Sequence, residues 1–192
     1  MIRLNNVLYC IGELSGMRYA KIRKTDIANG DGIGVALFVQ GCHLHCNGCF
    51  NPETWDFSGG EEWTEETKQK FLEIISPPYI NRISILGGEP LSYENLPEVY
   101  ELVKDIKRHF PYKKIWLYTG YELMFNDFED RDTGFDNAAL RNCIIRKCDV
   151  IVDGEFKEEK KSPMLKFKGS SNQRIIDVKK SLNQKKIVLK DV

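Results

Sequence analysis

Gly34-Val-Ala-Leu-Phe-Val39-Gln-Gly-Cys42-His-Leu-His-Cys46-Asn-Gly-Cys49-Phe50 decides how the rest of the chain is read. An apolar run of strand length ends in a loop that carries three cysteines within eight residues. Three thiolates cannot complete a four-ligand site. Structural zinc sites and electron-transfer iron-sulfur clusters normally use four protein ligands, whereas a site that does chemistry keeps one position for water or substrate. Short gaps within one loop let Cys42, Cys46 and Cys49 converge, and soft thiolates suit either iron-sulfur or zinc. The spacing alone does not choose between them. Zinc completed by His43 or His45 stays open. In the cluster reading both histidines are solvated loop positions or groups that only steady the ligands.

Working outward, Thr64 is placed to cap a helix that runs to about Ser76 with Phe71, Leu72 and Ile75 as its buried stripe, and Pro77-Pro78 stops it. A second strand, Arg82 to Leu86, then ends in Gly87-Gly88-Glu89-Pro90. Two glycines at a strand end let a ligand approach the backbone with no Cβ in the way, and exposed carbonyls with the Glu89 carboxylate can accept hydrogen bonds from an ammonium group. A second helix follows, with Val99, Val103, Ile106 and Phe110 at helical spacing. Lys114 to Tyr118 is a third strand closed by Thr119-Gly120-Tyr121. Phe125 to Asp136 reads as a surface loop, Asn137 to Lys147 as a helix and Asp149 to Val152 as a strand. Beyond it the pattern fades: Gly169 to Arg174 reads as a loop, and Ile187 to Leu189 as a last edge strand. Alternating strands and helices give an α/β fold with a parallel sheet, open or curved into part of a barrel. In both forms ligands gather at the carboxyl ends of the strands, where the cysteine loop and the two glycine turns lie.

The chain has 192 residues, enough for a single domain with a sizeable core. Its 28 basic and 28 acidic residues give no net charge, which argues against nucleic acid or a membrane surface as the main partner. The apolar runs are too short to span a membrane, and the N-terminus lacks the pattern of a signal peptide, so a cytoplasmic location is expected. In that reducing compartment six cysteines are thiols or metal ligands rather than a disulfide framework. Cys10, Cys143 and Cys148, scattered along the chain, are expected to be small buried hydrophobes. Trp55 and Trp116 are expected to pack rather than to contact a cofactor.

The cysteine spacing after the first strand, with Gly87-Gly88-Glu89-Pro90 after the next, resembles the radical S-adenosylmethionine superfamily. Asp26-Ile-Ala-Asn-Gly-Asp-Gly32, Phe38-Val-Gln-Gly-Cys42, Cys49-Phe-Asn-Pro-Glu-Thr-Trp55, Trp116-Leu-Tyr-Thr-Gly-Tyr121, Val152-Asp-Gly154 and Gly169-Ser-Ser-Asn-Gln-Arg174 are further similar to the branch that activates anaerobic (class III) ribonucleoside-triphosphate reductases. The resemblance runs from about Met17 to about Leu182. It implies a small partial β/α barrel over residues 17 to 192, with residues 1 to 16 as an N-terminal extension. It also implies a [4Fe-4S] cluster on Cys42, Cys46 and Cys49, whose open iron is chelated by S-adenosylmethionine. Reductive cleavage would give a 5′-deoxyadenosyl radical that abstracts hydrogen from a glycine of the reductase. Gly87, Gly88 and Glu89 would hold the methionine end, and Gly48 and Phe50 the adenosine part. The implied partners are the large reductase subunit and a flavodoxin-type electron donor.

Three departures stand out. Gly48 precedes the third cysteine where the wider superfamily has an aromatic residue, and Phe50 follows it instead. The stretch from Asn126 to Asp136 is longer than the branch suggests, and Leu86 stands where serine is frequent. Two other functions fit parts of the pattern: a small radical enzyme acting on a metabolite, such as a deazapurine-forming one, and a non-catalytic zinc-binding module. The last predicts that Gly88→Ala is nearly silent.

Overall fold

The computed structural model describes residues 16–128 and 137–192. The N-terminal extension, Cys10 and most of the Asn126 to Asp136 stretch therefore lie outside the described residues. Among the described residues seven strands form one sheet: β1 (Arg18–Asp26), β2 (Gly34–Val39), β3 (Glu61–Glu62), β4 (Arg82–Gly87), β5 (Lys114–Tyr118), β6 (Val150–Asp153) and β7 (Arg174–Asp177). Their order is β3-β1-β2-β4-β5-β6-β7. The centre, β2-β4-β5-β6, is parallel, and β1 and β7 flank it antiparallel. Helices α1 (Glu65–Ile75), α2 (Leu96–His109) and α3 (Asn137–Lys147) make the crossovers, and α4 (Val178–Gln184) follows the last strand.

The expected central strands and helices are present, and Thr64 caps α1 by accepting from the Thr67 amide. Sequence reading missed β1, the two-residue β3 and β7. Arg174, placed there in a loop, opens β7 and pairs with Asp153. Ile187 to Leu189 forms no strand; Leu189 makes a single bridge to Ile176. Cys148 is buried as expected, while Cys143 is only half-buried on α3.

Strand pleating sends alternate residues to opposite faces. One face carries Val35, Leu37 and Val39 of β2, Ile83 and Ile85 of β4, Ile115 and Leu117 of β5, and Ile151 of β6. Phe71 and Ile75 of α1, Val99, Leu102 and Ile106 of α2, and Ile144 and Ile145 of α3 cover it in one continuous core. The opposite face carries two smaller clusters, Ala36 with Phe38 and Leu86, and Trp116 with Val150, Val152 and Ile175.

At the amino ends of the parallel strands this second face is plugged by Arg82, which is fully buried. Its guanidinium donates to the Asp26 carboxylate at 2.9 Å and to the carbonyls of Asp26, Asn29 and Asp31 at 2.8, 2.7 and 3.2 Å. Burial pushes the Asp26 carboxyl up, but hydrogen bonds from Arg82 and Asn29 outweigh it and hold the group below the usual carboxylate range. A Cβ on Gly30 would stand 2.6 Å from the Arg82 side chain, which explains the glycine in the Asp26 to Gly32 turn.

Candidate active site

At the carboxyl ends of the parallel strands the loops enclose a cavity of about 800 Å³. Cys42, Cys46 and Cys49 line it from the loop after β2, Gly87, Gly88 and Glu89 from the loop after β4, and Thr119 and Gly120 from the loop after β5. Arg23 of β1 and Gln173, next to β7, line the same cavity although they come from opposite ends of the sheet.

The cysteine loop is fixed by its backbone. Gly41 and Cys42 donate amides to the Thr54 and Trp55 carbonyls at 2.8 and 3.0 Å, and Cys49 donates to Cys46 at 3.1 Å. Gly41 has φ +91°, and a Cβ there would meet the Phe57 ring at 2.1 Å. Each sulfur also receives an amide: Cys42 from Leu44 and His45, Cys46 from Phe156, and Cys49 from Asn51 at 3.4 Å. Burial pushes the Cys42 and Cys46 thiols up, and neighbouring cysteines and acidic groups add to the effect. A soft cation opposes that cost, and amides aimed at sulfur suit metal-bound thiolate. The donor set therefore fits an iron-sulfur cluster.

The turn after β4 presses on that loop. Gly88 and Glu89 donate amides to the Val39 and Gly41 carbonyls at 2.8 and 2.7 Å, and a Cβ on Gly88 would lie 2.4 Å from the Gly41 oxygen. Gly87, at φ +107°, holds a conformation that favours glycine. Glu89 is fully buried; its Oε1 accepts from the Leu91 amide at 2.9 Å and the Thr119 hydroxyl at 2.8 Å, and its Oε2 from the Gly120 amide at 2.8 Å. Burial raises its pKa to about 6 against the pull of these three donors. The carboxylate thus ties the second strand end to the third, and a Cβ on Gly120 would meet Leu44 at 2.2 Å.

The histidines face other neighbours. His43 Nε2 lies 2.8 Å from Glu94 Oε1, and its ring stacks on Tyr93. His45 stacks on Trp55 at 4.6 Å. Both line a separate shallow cleft behind the loop, of about 380 Å³.

Two comparisons bear on this arrangement. Residues 28–176 match the model of a family described as "4Fe-4S single cluster domain". The chain is 36% identical over 159 residues to an anaerobic ribonucleoside-triphosphate reductase-activating protein of Salmonella typhi, covering 82% of this chain and 96% of that one. Proteins of the same name from phage T4 and Escherichia coli K12 are 37% and 35% identical, covering 83% and 82% of this chain and 93% and 96% of theirs. The chain belongs to this family of reductase-activating proteins. An iron-sulfur cluster is accordingly its cofactor.

Within this family member the three cysteines, Gly87, Gly88, Glu89 and Phe50 share one cavity. Gly48 is not among its lining residues: at φ +70° it abuts the Glu158 carboxylate, 2.6 Å from where its Cβ would be. Phe50 packs on Phe156 at 5.0 Å beneath the Lys161 ammonium. Trp116 is fully buried as expected, and Trp55 packs on His45. Sequence reading gave no role to Thr119, Leu44 or Phe156, which brace the site. The Thr119-Gly120 pair was visible as a strand-end turn; Phe156 carried no signal. No helix among the described residues is long and apolar enough to cross a membrane.

Proposed function

We propose that this protein is a glycyl-radical activase that cleaves S-adenosylmethionine reductively and takes hydrogen from a glycine of anaerobic ribonucleoside-triphosphate reductase. The carrying observation is that the cysteine loop and the Gly87-Gly88-Glu89 turn meet in one cavity, in a chain of this family. Cys42, Cys46 and Cys49 would hold the cluster through their three thiolates. When bound, the cluster supplies one electron to the sulfonium of S-adenosylmethionine. The backbone at Gly87 and Gly88 receives the amino acid end, and Phe50 offers its ring to the adenosine. Glu89 keeps the turn at a fixed height over the cysteine loop through Thr119 and Gly120. The bulk of the cavity wall is apolar and shields a reactive species from water.

Arg23 and Gln173 line one cavity from the two ends of the sheet, which supports a partial barrel with a lateral opening. That opening admits a glycine loop of the large reductase subunit. Residues 17 to 192 act as one domain, in the cytoplasm, with a flavodoxin-type protein as electron donor. His43 and His45 are engaged by Glu94, Tyr93 and Trp55, which speaks against zinc completed by histidine.

Anaerobic reconstitution should give about four irons per chain, and S-adenosylmethionine should alter the paramagnetic resonance signal of the reduced cluster. Mixed with its own reductase, S-adenosylmethionine and a reductant, it should leave an organic radical on the reductase. An iron-free chain that holds zinc tightly, or hydrogen exchange with a small metabolite instead, would refute the assignment.

A further inference from the structure

The cavity that holds the site is charged on one side of the balance. Among the described residues its lining cations are Arg23, Lys161 and Lys168, and its one lining carboxylate is Glu89, buried and already bound by three donors. The chain as a whole is neutral, so this is a local concentration. The three cations also stand on facing lips. Arg23 belongs to β1, at one end of the sheet; Lys161 and Lys168 belong to the segment between β6 and β7, at the other. Arg23 lies 5.2 Å from the Phe38 ring centre and Lys161 4.7 Å from that of Phe50, so cation–π contacts hold both charges at the opening. Arg23 bridges Asp26 at 3.2 Å, but Arg82 already answers that carboxylate, and the three groups together keep one positive charge. Lys168 donates to the Ser171 and Gln173 carbonyls, and among the described residues neither lysine has a carboxylate partner.

We infer that these lips are a docking surface for an acidic polypeptide segment, in which carboxylates flank the residue presented to the cavity. This inference rests on the activase reading and names the chemistry of its partner. Opposite charge on an interface rim speeds encounter and fixes register more than it adds raw affinity. Cations on both lips fit a segment that crosses the opening, with one carboxylate engaged on each side.

The test uses the cluster-loaded full chain and the large subunit of its own reductase, with affinity measured between about 50 and about 300 mM KCl. Wild-type affinity should fall steeply with salt. Arg23→Gln, Lys161→Gln and Lys168→Gln should each weaken binding by about threefold at low salt, and together by about thirtyfold with a flattened salt response. The Lys161 ammonium makes no hydrogen bond among the described residues, its backbone amide alone donating to the Glu158 carbonyl, so its variant remains informative if Arg23→Gln disturbs the Asp26 turn. Salt-independent binding, variants that bind like wild type, or variants that lose S-adenosylmethionine affinity while keeping the reductase would each overturn the inference. A wild-type protein that forms no radical on the reductase sinks the activase reading itself. One that forms it with salt-independent affinity sinks this inference alone.

Discussion

The two faces of the sheet share the strands β2, β4, β5, β6 and β7 and are built to opposite rules. The helix-covered face is a continuous apolar layer, with Val35, Leu37, Ile83, Ile85, Leu102 and Ile106 all fully buried. The other face has small apolar clusters, a buried ion pair at one end and glycine turns with three cysteines at the other. A core gains from each buried methylene, whereas a site needs space, backbone access and fixed polar groups. The fold's stability and its chemistry are thus assigned to different faces of the same strands.

The sharpest break of that comparison is a pair of substitutions. Cys42→Ser should abolish radical formation, by more than about a hundredfold, yet change the unfolding free energy of the cluster-free chain by only about 1 kcal/mol. Leu102→Ala, on α2 in the opposite core, should cost about 2–5 kcal/mol and leave iron content per folded chain unchanged. Denaturant unfolding and iron analysis of both variants read the two effects. A Leu102→Ala protein that folds normally but binds no iron would show that the faces are not separable.

Gly88→Ala probes the seam between them. The added Cβ would start 2.4 Å from the Gly41 carbonyl oxygen, an atom that cannot swing aside like a side chain. The strand end or the cysteine loop must shift, at a cost of about 1–3 kcal/mol. S-adenosylmethionine affinity should fall at least tenfold, to be measured by equilibrium binding to the reconstituted protein. A silent Gly88→Ala would favour a plain structural turn over a ligand seat.

Glu89 links acidity to the site at the strand ends. Its pKa is raised from 4.5 to about 6 by burial, so between those pH values the native chain binds more protons than the unfolded one. Stability contributed by the protonated form is full below about pH 4.5 and is lost as pH rises through about 6, by about 2 kcal/mol. Glu89→Gln should remove this slope. It should also lower stability above pH 6, because its amide nitrogen, itself a donor, must face one of the donors that the carboxylate oxygens accept from. Unfolding curves of both proteins between pH 4.5 and 7 test it, and a slope that survives in the variant would assign it to another group.

How far the sequence could be read follows the same division. The parallel strands and α1 and α2 were legible because their apolar residues repeat at strand and helix periods. The cysteine loop and the glycine turn were legible because their chemistry is local. β1 was not: in Arg18-Tyr-Ala-Lys-Ile-Arg-Lys-Thr-Asp26 polar side chains fall on both faces of a strand in which only Asp26 is buried. The cavity wall from Gly154 to Gln173 was hidden for a different reason. It has no periodicity and is held by single bonds, as where Gln173 Oε1 accepts the Gly169 and Ser170 amides at 2.8 and 3.1 Å. The role of Glu89 as a tie between strand ends needed the fold, since its partners Thr119 and Gly120 lie about thirty residues away.

The smallest expected effect concerns the histidines beside the cysteines. If the cysteine loop binds its metal through thiolates alone, His43→Ala and His45→Ala should leave the iron content and the visible spectrum of the reconstituted protein unchanged. His43 spends its Nε2 on Glu94 and its ring on Tyr93 and Phe57, while His45 lies flat on Trp55. Removing either ring costs an exposed stacking contact and, for His43, one hydrogen bond, each worth about 1 kcal/mol or less. The loop keeps its shape through the Gly41 and Cys42 amide bonds, which no histidine supports. Loss of metal in either variant, with the fold intact, would instead make that histidine the fourth ligand. The open position on which the activase reading depends would then be closed.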